Sequence, residues 1–166
     1  MISVRKICVI GPSGCGKTAW IKRLHSGHFI EKYTPTKGAQ VTSISLNTNH
    51  GRIEFECWEF SDKYTTDMYQ KNTDGAIIFY DYEHTALNRY KEYKKLNPDS
   101  PVVFVRSFYD VEKVSKNEYN RIYHMIKPLN VKFYDVSAKT NYNNEKPFTQ
   151  FARSFFGFDD THFIEW

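Results

Sequence analysis

Residues 11–18 read Gly11-Pro12-Ser13-Gly14-Cys15-Gly16-Lys17-Thr18. The spacing is G-x-x-x-x-G-K-T, a complete phosphate-binding loop, and its flanks give the context in which that motif carries meaning. Ahead of it, Ile7-Cys8-Val9-Ile10 is an apolar run suited to a buried strand, and from Lys17 to His25 the pattern is helical. Glycines let the backbone wrap close to phosphate oxygens with its N–H groups turned inward, and the positive end of a helix dipole adds to the attraction. Gly11, Ser13, Gly14, Cys15, Gly16, Lys17, Thr18 and the following Ala19 are therefore the expected phosphate contacts. Lys17 is expected to bridge β- and γ-phosphates as a catalytic residue, and the Thr18 hydroxyl to ligate Mg²⁺.

Working outward, the chain of 166 residues suits one domain, 1–166, with a sizeable core. Its 40% apolar and 25% charged residues are ordinary for a globular protein, but twelve Tyr and thirteen Phe require an unusually aromatic interior. A net charge of +4 fits a phosphate ligand or an acidic partner and falls short of a nucleic-acid footprint. No apolar run approaches membrane-spanning length, and the N-terminus enters a strand at once, so neither a membrane span nor a signal peptide is expected. Cys8, Cys15 and Cys57 lack metal-ligand spacing and read as reduced thiols of an intracellular protein.

Strands and helices alternate. Strands are expected at about 3–10, 41–46, 53–57, 75–80, 101–105 and 131–136, with a turn at Asn49-His50-Gly51 making a hairpin of the second and third. Helices are expected at 17–26 and 83–96, from the capping box Ser115-Lys116-Asn117-Glu118 to about Lys127, and at 145–156 before Gly157. The order implies an α/β fold: a six-stranded, mostly parallel sheet with five helices covering both faces. Ligands of such sheets sit at the carboxyl ends of the strands, where the phosphate loop lies.

Three further stretches carry a resemblance. They are Lys32-Tyr33-Thr34-Pro35-Thr36-Lys37-Gly38, the hairpin turn Asn47-Thr48-Asn49-His50-Gly51, and the long segment Tyr134-Asp135-Val136-Ser137-Ala138-Lys139 continuing to Phe148. With the phosphate loop they make the chain resemble the small GTPases of the Ras superfamily, and within them the Ran branch, over almost its whole length. The resemblance implies a small G domain that binds GTP or GDP with Mg²⁺. It implies that Phe29 leans its ring edge on the guanine base, and that Thr36 ligates Mg²⁺ and senses the γ-phosphate as a catalytic residue. Ser137, Ala138 and Lys139 would form the loop whose Ala138 N–H meets the guanine oxygen. It also implies protein effectors or transport receptors reading 29–48 and 60–74, a cytoplasmic or nuclear location, and a monomer. The chain stops at Trp166 without a cysteine for prenylation and without Ran's additional helix and acidic tail, so no lipid anchor is expected.

The pattern breaks in two places. Where the family has Asp-Thr-Ala-Gly-Gln after the third strand, this chain has Trp58-Glu59-Phe60-Ser61-Asp62-Lys63-Tyr64. In the family the Asp holds Mg²⁺ through water and the Gln orients the attacking water. Glu59 can stand in for the Asp, but the Gly and Gln have no counterpart, with Asp62 and Gln70 as the remaining candidates to position water. Hydrolysis is therefore expected to be slow or absent. The base-reading motif Asn-Lys-x-Asp becomes Ser107-Phe108-Tyr109-Asp110. Asp110 can accept two hydrogen bonds from guanine, and Phe108 can stack on the base in place of the Lys stem. Ser107 replaces an Asn that normally bonds the base and ties loops together. Two other readings stay open: a pseudo-GTPase acting as a partner-binding module, and a phosphate-loop kinase. The kinase would need an arginine-bearing lid, whereas Arg89 and Arg106 read as isolated surface charges.

Overall fold

The computed structural model describes residues 3–32, 36–60, 67–107 and 115–164. Strand β1 (Ser3–Ile10) is central, flanked by β3 (Gly51–Phe60) and β4 (Gly75–Phe79). β2 (Ala39–Thr48) forms one edge, and β5 (Val102–Arg106) and β6 (Lys132–Asp135) complete the order β2-β3-β1-β4-β5-β6. Only β2 and β3 run antiparallel; every other neighbouring pair is parallel. The expected six-stranded, mostly parallel sheet with five helices is thus the architecture found.

The continuous apolar runs of β1, β4 and β5 are explained by the sheet's two covered faces, because successive side chains point to opposite sides. Ile7 and Val9 pack on one face with Ile77, Phe79, Val103 and Val105. Cys8 and Ile10 pack on the other with Ala76, Ile78 and Phe104. Helix α1 (Lys17–Ser26) and helix α5 (Lys146–Phe156) cover the first face. Trp20 of α1 is fully buried, stacks on Phe148 of α5 at 5.3 Å and meets the edge of Phe79 at 5.7 Å. Helix α3 (Glu83–Leu96) and helix α4 (Lys116–Ile126) cover the second, burying Tyr93 and Met125. The Ser115 hydroxyl accepts the Glu118 N–H, the cap predicted from the sequence.

Helix α2 (Asp67–Gln70) is a single turn. It is knit to α3 by a buried network: Asn97 Nδ2 donates to the Gln70 carbonyl at 2.8 Å, and Thr73 and Tyr93 share a hydroxyl bond at 2.7 Å. Burial pushes the Tyr93 phenol up to about 12, so that bond is between neutral hydroxyls throughout the ordinary pH range. Gln70 is buried in this cluster, which removes it as a candidate to position water near the phosphate loop.

Two arginines also depart from expectation. Arg89 bonds Asp81 at 2.9 Å. Burial raises the Asp81 carboxyl, but bonds from Thr85, the Tyr82 N–H and Arg89 outweigh it and hold it below its usual range. Arg106 is only 12% exposed and reaches Asp135 at 2.8 Å and Glu118 at 3.3 Å. Both are structural ion pairs, and neither is a loose surface charge.

The hairpin is longer than its alternation indicated, because its turn is only Asn49-His50, with Thr48 Oγ1 accepting the His50 N–H and donating to the Gly51 carbonyl. A segment following α5 clasps this turn. Asn49 and His162 exchange bonds, the Ile164 N–H reaches the Asn47 carbonyl, and Thr48 bridges to Phe163. His50 stacks on Phe158 at 4.2 Å and bonds Asp160 at 2.7 Å. No helix among the described residues is long and apolar enough to cross a membrane.

Candidate nucleotide-binding site

Four connections converge at the carboxyl ends of parallel strands: the phosphate loop after β1, Glu59 near the end of β3, Ser107 after β5, and residues 137–142 after β6. Such strand ends are where open α/β sheets place ligands.

The phosphate loop passes close to β4. A Cβ on Gly11 would stand 2.8 Å from Phe79 Cβ, a distance no real side chain tolerates. Gly16 caps α1 at φ 94°, in the left-handed region that glycine adopts without cost. That helix has no side-chain cap and no acidic residue in its first turn, which leaves its N-terminal N–H groups for an anion. Lys17 is 7% exposed, and its Nζ donates to the carbonyls of Gly11 at 2.7 Å and Pro12 at 2.8 Å. The ammonium is therefore stationed within the loop. Cys15 Sγ lies 3.7 Å from it, yet burial still raises the Cys15 thiol above its ordinary range. All three cysteines are free thiols.

Thr18, Thr36 and Glu59 meet beside the loop. Thr18 Oγ1 and Thr36 Oγ1 are 2.9 Å apart, Thr36 donates to Glu59 Oε1 at 3.0 Å, and Thr18 donates to the same carboxylate oxygen. Glu59 is 2% exposed. Two hydroxyls and a carboxylate are hard oxygen donors, the chemistry suited to Mg²⁺ beside phosphate oxygens. Among the described residues no group of three His, Cys, Asp or Glu competes for a metal.

A cavity of about 400 Å³ opens over Thr18 and Thr36, lined by Ser13, Gly14, Gly16 to Ala19, Phe29 and Phe60 among others. Phe29 is half-buried in its wall. Gly11 and Cys15 contribute through their carbonyls, which hold Lys17 and Ser107 respectively. Phe60 was missed by sequence reasoning, which treated it only as part of a damaged motif. Its ring is buried, lines the cavity and packs on Tyr69 at 5.2 Å.

Ser137, Ala138 and Lys139 stand outside that lining, at the far end of the strand row. Ser137 is buried and exchanges backbone bonds with Tyr142, closing a tight turn, and its hydroxyl accepts the Thr140 N–H. Asn141 at φ 60° and Asn143 at φ 54° supply the left-handed positions this turn needs. Lys139 lies 3.9 Å from Glu31, which brings the turn beside the segment carrying Phe29. Both side chains are exposed, so the pair marks proximity and adds little stability. Ser107 donates to the Cys15 carbonyl, tying the end of β5 to the phosphate loop across 92 residues of sequence. Phe108, Asp110 and Asp62 lie outside the described residues.

Fold and site define a phosphate-loop nucleotide-binding protein of the small G-domain type. The Ras family model matches residues 6–156, and the chain belongs to the Ras family of small GTPases. It is accordingly a small GTP-binding switch protein, of a family that binds GTP and GDP with Mg²⁺.

Proposed function

We propose that this protein is a Ran-type guanine-nucleotide switch that binds GTP and GDP with Mg²⁺, hydrolyses GTP slowly, and works in the cytoplasm or nucleus in traffic between the two. The reading rests first on the convergence of Lys17, Thr18, Thr36 and Glu59 beside the phosphate loop. When bound, Mg²⁺ neutralises charge on the phosphate oxygens it touches. Lys17 supplies a second fixed charge, and Thr18 and Thr36 supply the hydroxyl ligands. Phe29, Phe108, Asp110 and the Ala138 N–H form the guanine pocket in this reading. The likeness of Tyr134 to Phe148 to the Ran branch supports the subfamily, and the segments 29–48 and 60–74 are the surfaces for effectors or transport receptors.

Guanine preference is tested by competition for a fluorescent GDP. Asp110 favours the N1 and N2 donors of guanine, a pair that adenine lacks, and an unmatched buried polar group is strongly penalised. GTP and GDP should displace the probe at least about 100-fold better than ATP. Equal displacement by ATP removes the guanine assignment.

Slow hydrolysis rests on Glu59-Phe60-Ser61-Asp62, which offers neither the Gly that meets the γ-phosphate nor the Gln that orients water. Phosphate release in a single-turnover assay should fall at least about tenfold below the roughly 3–5 × 10⁻⁴ s⁻¹ intrinsic rate of Ras. Release at that rate or above refutes the impairment. The same lesion favours a second reading, a pseudo-GTPase that binds partners without turnover. Mass spectrometry of the nucleotide carried through purification separates them: GDP marks a cycling enzyme, GTP a stalled one.

A further inference from the structure

We infer that Glu59 ligates the site's divalent cation directly, forming one face of its coordination shell with Thr18 and Thr36 and taking the place of a water. The inference rests on the nucleotide-switch reading above and concerns how this chain, with Glu in place of Asp, holds the ion.

The first support is geometric. Neighbouring ligands of an octahedral Mg²⁺ with bonds of about 2.0–2.1 Å stand about 2.8–3.0 Å apart, the √2 relation of the octahedron's edge. Thr18 Oγ1 and Thr36 Oγ1 are separated by 2.9 Å, and Thr36 Oγ1 and Glu59 Oε1 by 3.0 Å. Thr18 Oγ1 closes the triangle on the same Oε1 atom. Three hard oxygens from three different segments therefore meet at one point, and two of their three separations already match an octahedral edge. An Asp at position 59 is shorter by one methylene, so its carboxylate stops short of the point that Glu59 Oε1 reaches and leaves room for a water.

The second support is electrostatic. Glu59 is 2% exposed, and no Lys, Arg or His among the described residues forms an ion pair with it. A buried carboxylate costs several kcal/mol unless a charge compensates it. The two threonine hydroxyls give it hydrogen bonds but no positive charge. A cation set against all three oxygens does. The backbone beneath it is also fixed: Glu59 sits within the sheet, opposite Val9 on β1 and Gln40 on β2, and cannot withdraw from the site without breaking ladder bonds.

The experiment uses the purified full chain loaded with Mn²⁺ and a non-hydrolysable GTP analogue. Pulsed electron paramagnetic resonance in D₂O counts the water molecules bound to Mn²⁺. The wild type should show one fewer than Glu59→Asp, in which a water regains the vacated position. Glu59→Gln, close in size but neutral, should bind Mn²⁺ at least about tenfold more weakly than the wild type. Circular dichroism checks that each variant is folded; if the Gln variant is not, the water count of the Asp variant decides alone. Equal counts in wild type and Asp variant overturn the inference whatever the affinities. A chain that takes up no guanine nucleotide at all overturns the switch reading, and this inference with it. Nucleotide uptake with equal counts removes this inference alone.

Discussion

Lys17→Ala should lower the affinity for GDP by about 10- to 100-fold, measured by titration of a fluorescent GDP. Lys17 is nearly buried, and its ammonium is fixed by the Gly11 and Pro12 carbonyls. No rotamer search precedes its contact with phosphate, so little entropy offsets the gain. The two carbonyls leave one ammonium N–H for phosphate, and a hydrogen bond to a charged group contributes about 1.5–3 kcal/mol, or one to two factors of ten at about 1.4 kcal/mol each. Arginine should not rescue the loss. Its planar fork cannot occupy the point between two loop carbonyls that a compact ammonium fills. The Ala variant also leaves both carbonyls without their donor, so its melting temperature should be recorded alongside. A folded variant that binds GDP within twofold of the wild type would show that the loop holds its ligand by backbone alone.

The largest effect on stability is expected from Trp20→Ala. Trp20 is fully buried between Phe148 and Phe79 and forms the contact through which α1 is pinned to both α5 and the sheet. Removing a buried aromatic side chain costs about 3–5 kcal/mol in lost transfer energy and residual cavity. For a domain of this size each kcal/mol is worth about 2–4 °C, so melting should begin roughly 6–20 °C lower. Because α1 carries Lys17 and Thr18 at its start, nucleotide should restore part of the loss by mass action. Trp20→Phe keeps the stack and should cost less than half as much. A melting point within 2 °C of the wild type for the Ala variant would mean that this core tolerates a void, contrary to close packing.

Much of this molecule was legible in its sequence, for identifiable reasons. The runs at Ile7 to Ile10 and Gly75 to Phe79 are buried on both faces, so no polar residue interrupts them and their strands stand out. The phosphate loop was legible because its chemistry is local: strand, glycines, Lys and Thr are consecutive. Helix α2 could not be placed, since a single turn carries no periodicity to read. Arg106 looked isolated because Asp135 and Glu118 are its neighbours only after β5, β6 and α4 have assembled. Ser107 looked like a loss of function at its position, yet its hydroxyl reaches Cys15, a partner 92 residues away that no spacing rule could supply. Phe60 was hidden by an opposite effect. It fell inside a motif judged only by what was missing, so its own contribution to the cavity wall went unread.

The clasp on the hairpin turn bears on how the chain is made. Asn49 and His50 find their partners at residues 160 and 162, more than a hundred positions downstream. Synthesis proceeds from the amino end, so the hairpin emerges from the ribosome long before the strap that fastens it. Strands β1 to β3 adjoin one another and can pair early, since local contacts close first. During that interval the Asn47 carbonyl and the aromatic surface of His50 stay open to water or to a chaperone. Fastening 158–164 across 47–50 must therefore follow pairing of the hairpin, and a nascent chain halted ahead of residue 158 is expected to present the turn unfastened.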